Sequence, residues 1–270
     1  MTLPPDDRTV LRRGGLSILG RIRSASNATF LCESTLDGRR VHCVYKPVAG
    51  EQPLWDFPDG TLAGRELAAY LVSAQLGWNI VPYTIIRDGP AGAGMVQLWV
   101  DQPDDGEGGP GSAGDLVEVV PVGAVPPGYL AVLEASNYAG EPVALVHADD
   151  ARLRRIAVLD VLINNADRKG GHILAAVDGT VYGVDHGVCL HVDDKLRTVL
   201  WGWAGKPVDD ESLTAVSGLI DALGGPLAAT LRPHLTTAEI TALRRRAREL
   251  VDHPVMPGPG RHRPIPWPAF

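Results

Sequence analysis

Two carboxylates frame the most chemically loaded part of this sequence. Asp167 opens the polar run Asp167-Arg168-Lys169-Gly170-Gly171-His172, and Asp185 follows 18 residues later in Tyr182-Gly183-Val184-Asp185-His186-Gly187. A carboxylate on a polar loop can orient a hydroxyl nucleophile, and a second one at a strand end can hold a divalent metal on the phosphates of ATP. That division of labour is what phosphoryl transfer requires. A third group joins them: Lys46 is one of four lysines and the only one before residue 169, at the end of the largely apolar run Val41-His42-Cys43-Val44-Tyr45. In a chain that otherwise uses Arg for positive charge, such a Lys suits a point charge aimed at phosphate. The bland alternative is a surface Lys whose stem lies along the sheet. Glu66, on the next predicted helix, favours the first reading because it can pair with Lys46 and orient it.

The elements that must carry these groups can be read from periodicity and turn residues. Strands are expected over residues 16–22, 28–34 and 41–47, separated by Ser24-Ala25-Ser26-Asn27 and Leu36-Asp37-Gly38-Arg39. Thr61 can cap a helix running to about Leu76 and stopped by Gly77, after which two more strands fit residues 80–87 and 94–100. A stretch rich in Asp, Gly, Pro and Glu over 102–114 reads as a linker. Its Gly106-Glu107-Gly108-Gly109-Pro110-Gly111 has the form G-x-G-x-x-G, but it follows no strand-to-helix pattern and sits among carboxylates that repel phosphate. Apolar runs follow at 116–122 and 129–133. The helix expected over 150–164 has almost no polar face, so it should be buried and present the Asp167 loop from a rigid support. Leu213, Val216, Ile220 and Leu223 mark a further amphipathic helix, and Thr236-Thr237-Ala238-Glu239 forms a capping box ahead of the last one. The Pro-rich tail from Pro254, with Trp267, is expected to dock on this helical part.

Composition narrows the class. The chain of 270 residues is 45% hydrophobic and 21% charged, ordinary for a globular protein with a large core. Its 25 Lys+Arg against 32 Asp+Glu leave a net charge of −7, which disfavours nucleic acid and anionic membrane as partners. Cys32, Cys43 and Cys189 form no C-x-x-C pair and are odd in number, as expected for buried thiols in a reducing compartment. No segment has the order of a signal peptide or the length of a membrane span, so a cytoplasmic location is expected.

Lys46 after a strand, Glu66 on the next helix, Asp167-Arg168 before glycines, and Asp185-His186-Gly187 after a short hairpin together resemble the phosphatidylinositol 3-/4-kinase superfamily. The likeness spans most of residues 14–200 and is greatest to its compact bacterial branch; HipA-like kinases are more distant. It implies an α+β, two-lobed, protein-kinase-like fold: residues 1–101 as a small N-lobe of antiparallel sheet and one helix, and 102–270 as a mostly helical C-lobe. It further implies ATP and Mg²⁺ or Mn²⁺ as cofactors and an unidentified hydroxyl-bearing acceptor. By position, Lys46 would contact phosphate and Glu66 would hold it, Asp167 would orient the acceptor, and Asp185 would bind metal. Ser24, Ser26 and Asn27 would cover the phosphates. Gln97, Leu98 and Trp99 would form the adenine hinge, with Met95 and Ile86 lining the apolar pocket. Arg168 and Lys169 would neutralise the transferring phosphoryl group or simply solvate the loop.

Two departures shape these expectations. Where the family pattern D-R-x-x-x-N places a metal-binding Asn, this chain has His172, and the Phe of the D-F-G-like motif is His186. Imidazole nitrogen suits Mn²⁺ better than Mg²⁺. A replacement amide from Asn164 or Asn165 is one option, and a nucleotide-binding pseudokinase with a regulatory role is an alternative function. A third class, a metal-dependent hydrolase, would use His172, Asp185, His186, Cys189 and His191 as ligands.

Overall fold

The computed structural model describes residues 5–22, 25, 27–103, 116–260 and 263–270. Ser24, Ser26 and the glycine-rich run at 106–111 lie outside them. The N-terminal part is helix α1 (Pro5–Arg13) followed by a five-stranded antiparallel sheet. Its strands are β1 (Gly15–Arg21), β2 (Phe30–Leu36), β3 (Arg39–Pro47), β4 (Thr84–Gly89) and β5 (Gly92–Leu98), in the order β1-β2-β3-β5-β4. The β2–β3 hairpin closes through Asp37 and Gly38, both with positive φ (49° and 79°), the conformation a two-residue turn needs to match strand twist. Alternation in β3 buries Cys43, Tyr45 and Pro47 on one face. Cys32 and Cys43 oppose each other across β2 and β3 as free buried thiols, pushed up to about 11 and about 12 by desolvation.

Helix α2 (Leu62–Gln75) lies between β3 and β4 and joins two cores. Ala68, Ala69 and Val72 belong to the large apolar core shared with the C-terminal helices, while Tyr70 packs against the smaller core of the sheet as well. Its start is fixed twice. Thr61 accepts from the Gly64 amide, and the Glu51 carboxylate accepts from the amides of Leu62 and Ala63, satisfying donors that a helix N-terminus leaves unpaired.

A second antiparallel sheet follows: β6 (Val117–Pro121), β7 (Tyr129–Ser136) and β8 (Pro142–Ala148), in the order β6-β8-β7. The apolar runs at 116–122 and 129–133 are two of its strands; β8 carries no sequence signal beyond its own buried Ala144-Leu145-Val146. Helix α3 (Ala151–Ile163) is capped by Asp150 and buried along most of its length, as its composition requires. The hairpin β9 (Ile173–Ala175) and β10 (Val181–Gly183) comes next, then α4 (Asp210–Ala222), α5 (Pro226–Leu231) and α6 (Thr237–Asp252). The architecture is therefore α+β, with an antiparallel sheet in the N-terminal part and helices dominating the C-terminal part. The capping box at Thr236 forms, and Glu239 does double duty there: one oxygen bonds Thr236 and the other the buried guanidinium of Arg65 at 2.6 Å, tying α6 to α2. Among the described residues, no helix is long and apolar enough to cross a membrane.

The tail docks by backbone bonds and by the side chains of Ile265 and Ala269, which pack against the large apolar core. The Pro264 carbonyl accepts from the Thr198 amide and the Trp201 indole, whereas Trp267 stands out in solvent. The expectation that Trp267 itself packs down is corrected: it is 86% exposed, and Ile265 and Ala269 make the apolar contact of the segment instead.

Candidate active site

Four groups from four elements meet at one cleft. Lys46 on β3, Glu66 on α2, Asp167 after α3 and Asp185 after β10 all line it, and its volume is about 230 Å³. Lys46 Nζ lies 2.7 Å from Glu66 Oε1 and 2.7 Å from Asp185 Oδ1, so one ammonium bridges both carboxylates. The other oxygen of Glu66 accepts the His186 amide at 2.9 Å, which fixes the backbone beside Asp185. Asp185 adopts a left-handed conformation (φ 60°), unusual for a non-glycine residue and typical of positions held for function.

The electrostatics follow from this bridge. Lys46 holds down the Asp185 carboxyl well below the carboxylate range, although burial opposes this. Burial works against the Lys46 charge, but Asp185 and Glu66 outweigh it and raise its pKa. Glu66 is pushed up by burial and pulled back by Lys46 and the His186 amide. Asp167 is raised by burial against the pull of Lys169, whose Nζ is 3.3 Å from its Oδ2. A partly buried carboxylate with raised proton affinity suits an acceptor of a hydroxyl proton.

His172 closes the arrangement from the Asp167 side. Its Nδ1 is 2.9 Å from the Asp167 carbonyl oxygen, which can only accept, so Nδ1 carries the proton. Burial pushes the ring down to about 4, leaving it neutral. Nε2 then presents a lone pair to Asp185 Oδ2 at 3.4 Å. Two acceptors facing each other are repulsive unless a cation lies between them, and that juxtaposition fits a divalent metal. Among the described residues no three metal-ligating side chains converge. A pair suffices where phosphate oxygens and water complete the shell, as in nucleotide-bound Mg²⁺.

Other expected roles are corrected. Arg168 neither faces the cleft nor solvates the loop: it is fully buried, donates to Asp160 at 2.9 Å, to the carbonyls of His172 and Val184, and to His186 Nε2 at 2.6 Å. Asp160, a lone carboxylate inside the apolar α3, also accepts from Asn165 and Thr198. Its sequence signal was a lone carboxylate in the otherwise apolar half-helix Ile156-Ala157-Val158-Leu159-Asp160-Val161-Leu162-Ile163. Asn165 bonds Asp160 with its nitrogen and the Asp167 amide with its oxygen, and Asn164 spends its amide on His191, Asp193 and Lys195. Neither offers a free amide to a metal.

The hinge expectation also changes. None of Met95, Gln97, Leu98 and Trp99 lines the cleft that holds Lys46. Met95 is the buried cross-strand partner of Lys46, the Gln97 amide donates to Thr84, and the Leu98 and Trp99 amides donate to the carbonyls of Tyr83 and His42. Asn27 does line the cleft, but its side-chain oxygen accepts the Gln52 amide. Thr29, the end of the turn expected over the phosphates, lines the same space, and Glu51 does too without any signal in the sequence. The hydrolase cluster does not assemble: Cys189 is buried against the Arg65 carbonyl, His191 Nδ1 accepts the Asp193 amide, and His186 faces Arg168.

No protein-family model matches the chain. Among solved structures, the Helicobacter pylori proinflammatory kinase CtkA is similar over 90% of this chain and 93% of its own at 10% identity, with a TM-score of 0.45, too low to fix the fold. A sequence relative is far nearer. Protein Rv2133c of Mycobacterium tuberculosis (strain ATCC 25618 / H37Rv) is 70% identical over 271 residues, covering 100% of this chain and 98% of that protein, and the chain belongs to its family.

Proposed function

We propose that this protein is a kinase-like phosphotransferase that moves the γ-phosphoryl group of ATP to a hydroxyl. The observation that carries the reading is the single ammonium of Lys46 bridging Glu66 and Asp185 at the mouth of a cleft that also holds Asp167. With nucleotide present, Lys46 has a polyanion to pair with, and Asp185 is released to a cation. A divalent metal held by Asp185 and His172 would supply charge neutralisation on the phosphates. Asp167 accepts the proton of the attacking hydroxyl as its oxygen bonds to phosphorus and ADP departs. Lys169, beside Asp167, meets the negative charge that shifts onto the transferring oxygens. Burial of Glu66 keeps Lys46 oriented throughout. At about 230 Å³ the cleft is below the usual range for a whole ligand of ATP size, so it fits the phosphates and acceptor end, with the remainder of the nucleotide outside it.

Turnover of ATP with Mn²⁺ or Mg²⁺ tests this. Asp167→Ala should abolish turnover while nucleotide binding persists, and Asp185→Ala should weaken metal-dependent binding. Equal turnover in both variants and wild type sinks the assignment. The pairing of Asp185 Oδ1 with Lys46 favours a second reading, a nucleotide-binding pseudokinase, which predicts binding without turnover. The family name of the resemblance does not decide the acceptor: a soluble metabolite, a lipid headgroup and a protein Ser or Thr, this chain's own included, all carry the required hydroxyl.

A further inference from the structure

We propose that the segment 263–270 is a clamp on the loop that carries Asp167 and His172, with Phe270 as its positioning residue; the role rests on the phosphotransferase reading. Two adjacent glycines in that loop show why. A Cβ on Gly171 would meet open space, whereas a Cβ on Gly170 would overlap the Phe270 ring. Gly170 is not among the glycines with positive φ, so its backbone makes no demand for glycine. What the missing side chain does at 170 is admit Phe270. The Gly170 amide also donates to the Ala269 carbonyl at 2.8 Å, so ring and backbone of the segment grip the same residue.

The gripped residue is well placed to transmit. Gly170 begins a single three-residue turn that ends at His172, whose ring in turn bonds the Asp167 carbonyl. One turn has little stiffness of its own. A shift at Gly170 therefore moves both the metal-facing imidazole and the backbone of the catalytic carboxylate. The other end of the segment is tied to the opposite side of the loop: Pro264 accepts from Thr198, and Thr198 Oγ1 donates to Asp160, the partner of Arg168. Neither Phe270 nor Gly170 lines the cleft, so the segment braces the site from outside and does not plug it.

The test uses full-length Phe270→Ala, Gly170→Ala and the double variant, with two readouts. Amide exchange at Gly170 should quicken at least tenfold in each single variant while α3 and α6 stay protected. Mn²⁺ affinity in the presence of a non-hydrolysable ATP analogue should weaken roughly tenfold, the scale of lost outer-shell support, and kcat should fall with KM for ATP within about twofold. The double variant should match Phe270→Ala alone, the two losses failing to add, because Phe270→Ala vacates the space that the new Cβ needs. Phe270→Leu, which keeps an apolar side chain there, should be milder than Phe270→Ala. Wild-type values in the single variants overturn the clamp, and a rise in turnover overturns it in favour of a plug. If wild-type protein binds the metal–nucleotide pair without turnover, the phosphotransferase reading fails alone, and affinity and exchange still decide the clamp. If wild type binds neither, both the reading and the positioning role fall.

Discussion

Lys46 and Arg168 each centre a cluster of charge, and the two clusters share neighbours in sequence yet differ in access to solvent. Asp167 and Asp185 turn to the cleft with Lys46; the residues that follow them turn inward, Arg168 to Asp160 and His186 to Arg168. The Arg168–Asp160 pair is fully buried, while the Asp185 side chain is about half-exposed (49%). Every hydrogen-bonding direction of the inner pair is occupied by protein, as a charge removed from water requires. The outer bridge keeps one face open, so a ligand can compete for its members. Proximity in the chain thus says little about role, and the open coordination of Lys46 and Asp185 says a great deal.

The comparison breaks most visibly by removing each cation in turn. Arg168→Met strands a buried carboxylate at Asp160 and should cost about 3–5 kcal/mol, seen as a fall in Tm of roughly 10 °C for a chain of this size. Lys46→Met leaves the half-exposed Asp185 to solvent but also strands the buried Glu66, which keeps only the His186 amide and can take up a proton because burial already raises its pKa; Tm should fall by about 2–5 °C, less than for Arg168→Met. Calorimetry on both variants decides it. Equal losses of Tm would mean that the cleft bridge is as structural as the buried one.

Activity should reverse that order for the cleft cation. Lys46→Met should lower kcat/KM for ATP by about 100-fold or more, the scale for removing a preorganised charge from a reacting site. A variant with near wild-type kcat/KM would remove Lys46 from the chemistry.

A smaller perturbation tests the inner cluster through its packing. A Cβ on Gly183 would come within 2.9 Å of Arg168 Nη2, so Gly183→Ala should destabilise by about 1–3 kcal/mol through overpacking. Gly171→Ala, in open space, should change stability by less than about 0.5 kcal/mol. Chemical denaturation of the pair checks both. A harmless Gly183→Ala would show that Arg168 can yield, and that its cluster is less rigid than its bonds imply.

How much of this was legible in the sequence follows the same division. Local signals were readable: Thr61 and Thr236 as caps, Asp37-Gly38 as a hairpin turn, and the buried character of α3. The convergence of Lys46, Glu66, Asp167 and Asp185 was legible because each group stood out chemically against its own segment. The destination of Arg168 was not. A guanidinium beside a catalytic-type carboxylate reads as solvated or functional until the fold shows Asp160 behind it, 8 residues back on a buried helix. The hinge failed for a different reason: which amides of residues 97–99 are free depends on pairing with Tyr83 and His42, non-local bonds that no propensity reports. The three-stranded sheet was missed in part because β8 is an apolar run of only a few residues, indistinguishable by period from a buried helix segment.

The finest test concerns His172, which borders both clusters. Its backbone oxygen accepts from Arg168, while its ring stands between Asp167 and Asp185. In His172→Asn the side-chain amide can still donate towards the Asp167 carbonyl, and its oxygen replaces a nitrogen on the side of Asp185. Oxygen favours Mg²⁺, whereas imidazole nitrogen favours Mn²⁺. The ratio of Mg²⁺- to Mn²⁺-supported turnover should therefore rise several-fold, with thermal stability close to wild type because the inner contact is made by backbone. If the ring serves only to prop Asp167, both metals should lose activity by the same factor and the ratio should stay fixed. That outcome would move His172 from the outer cluster to the inner one, and leave Asp185 as the protein's single direct hold on the cation.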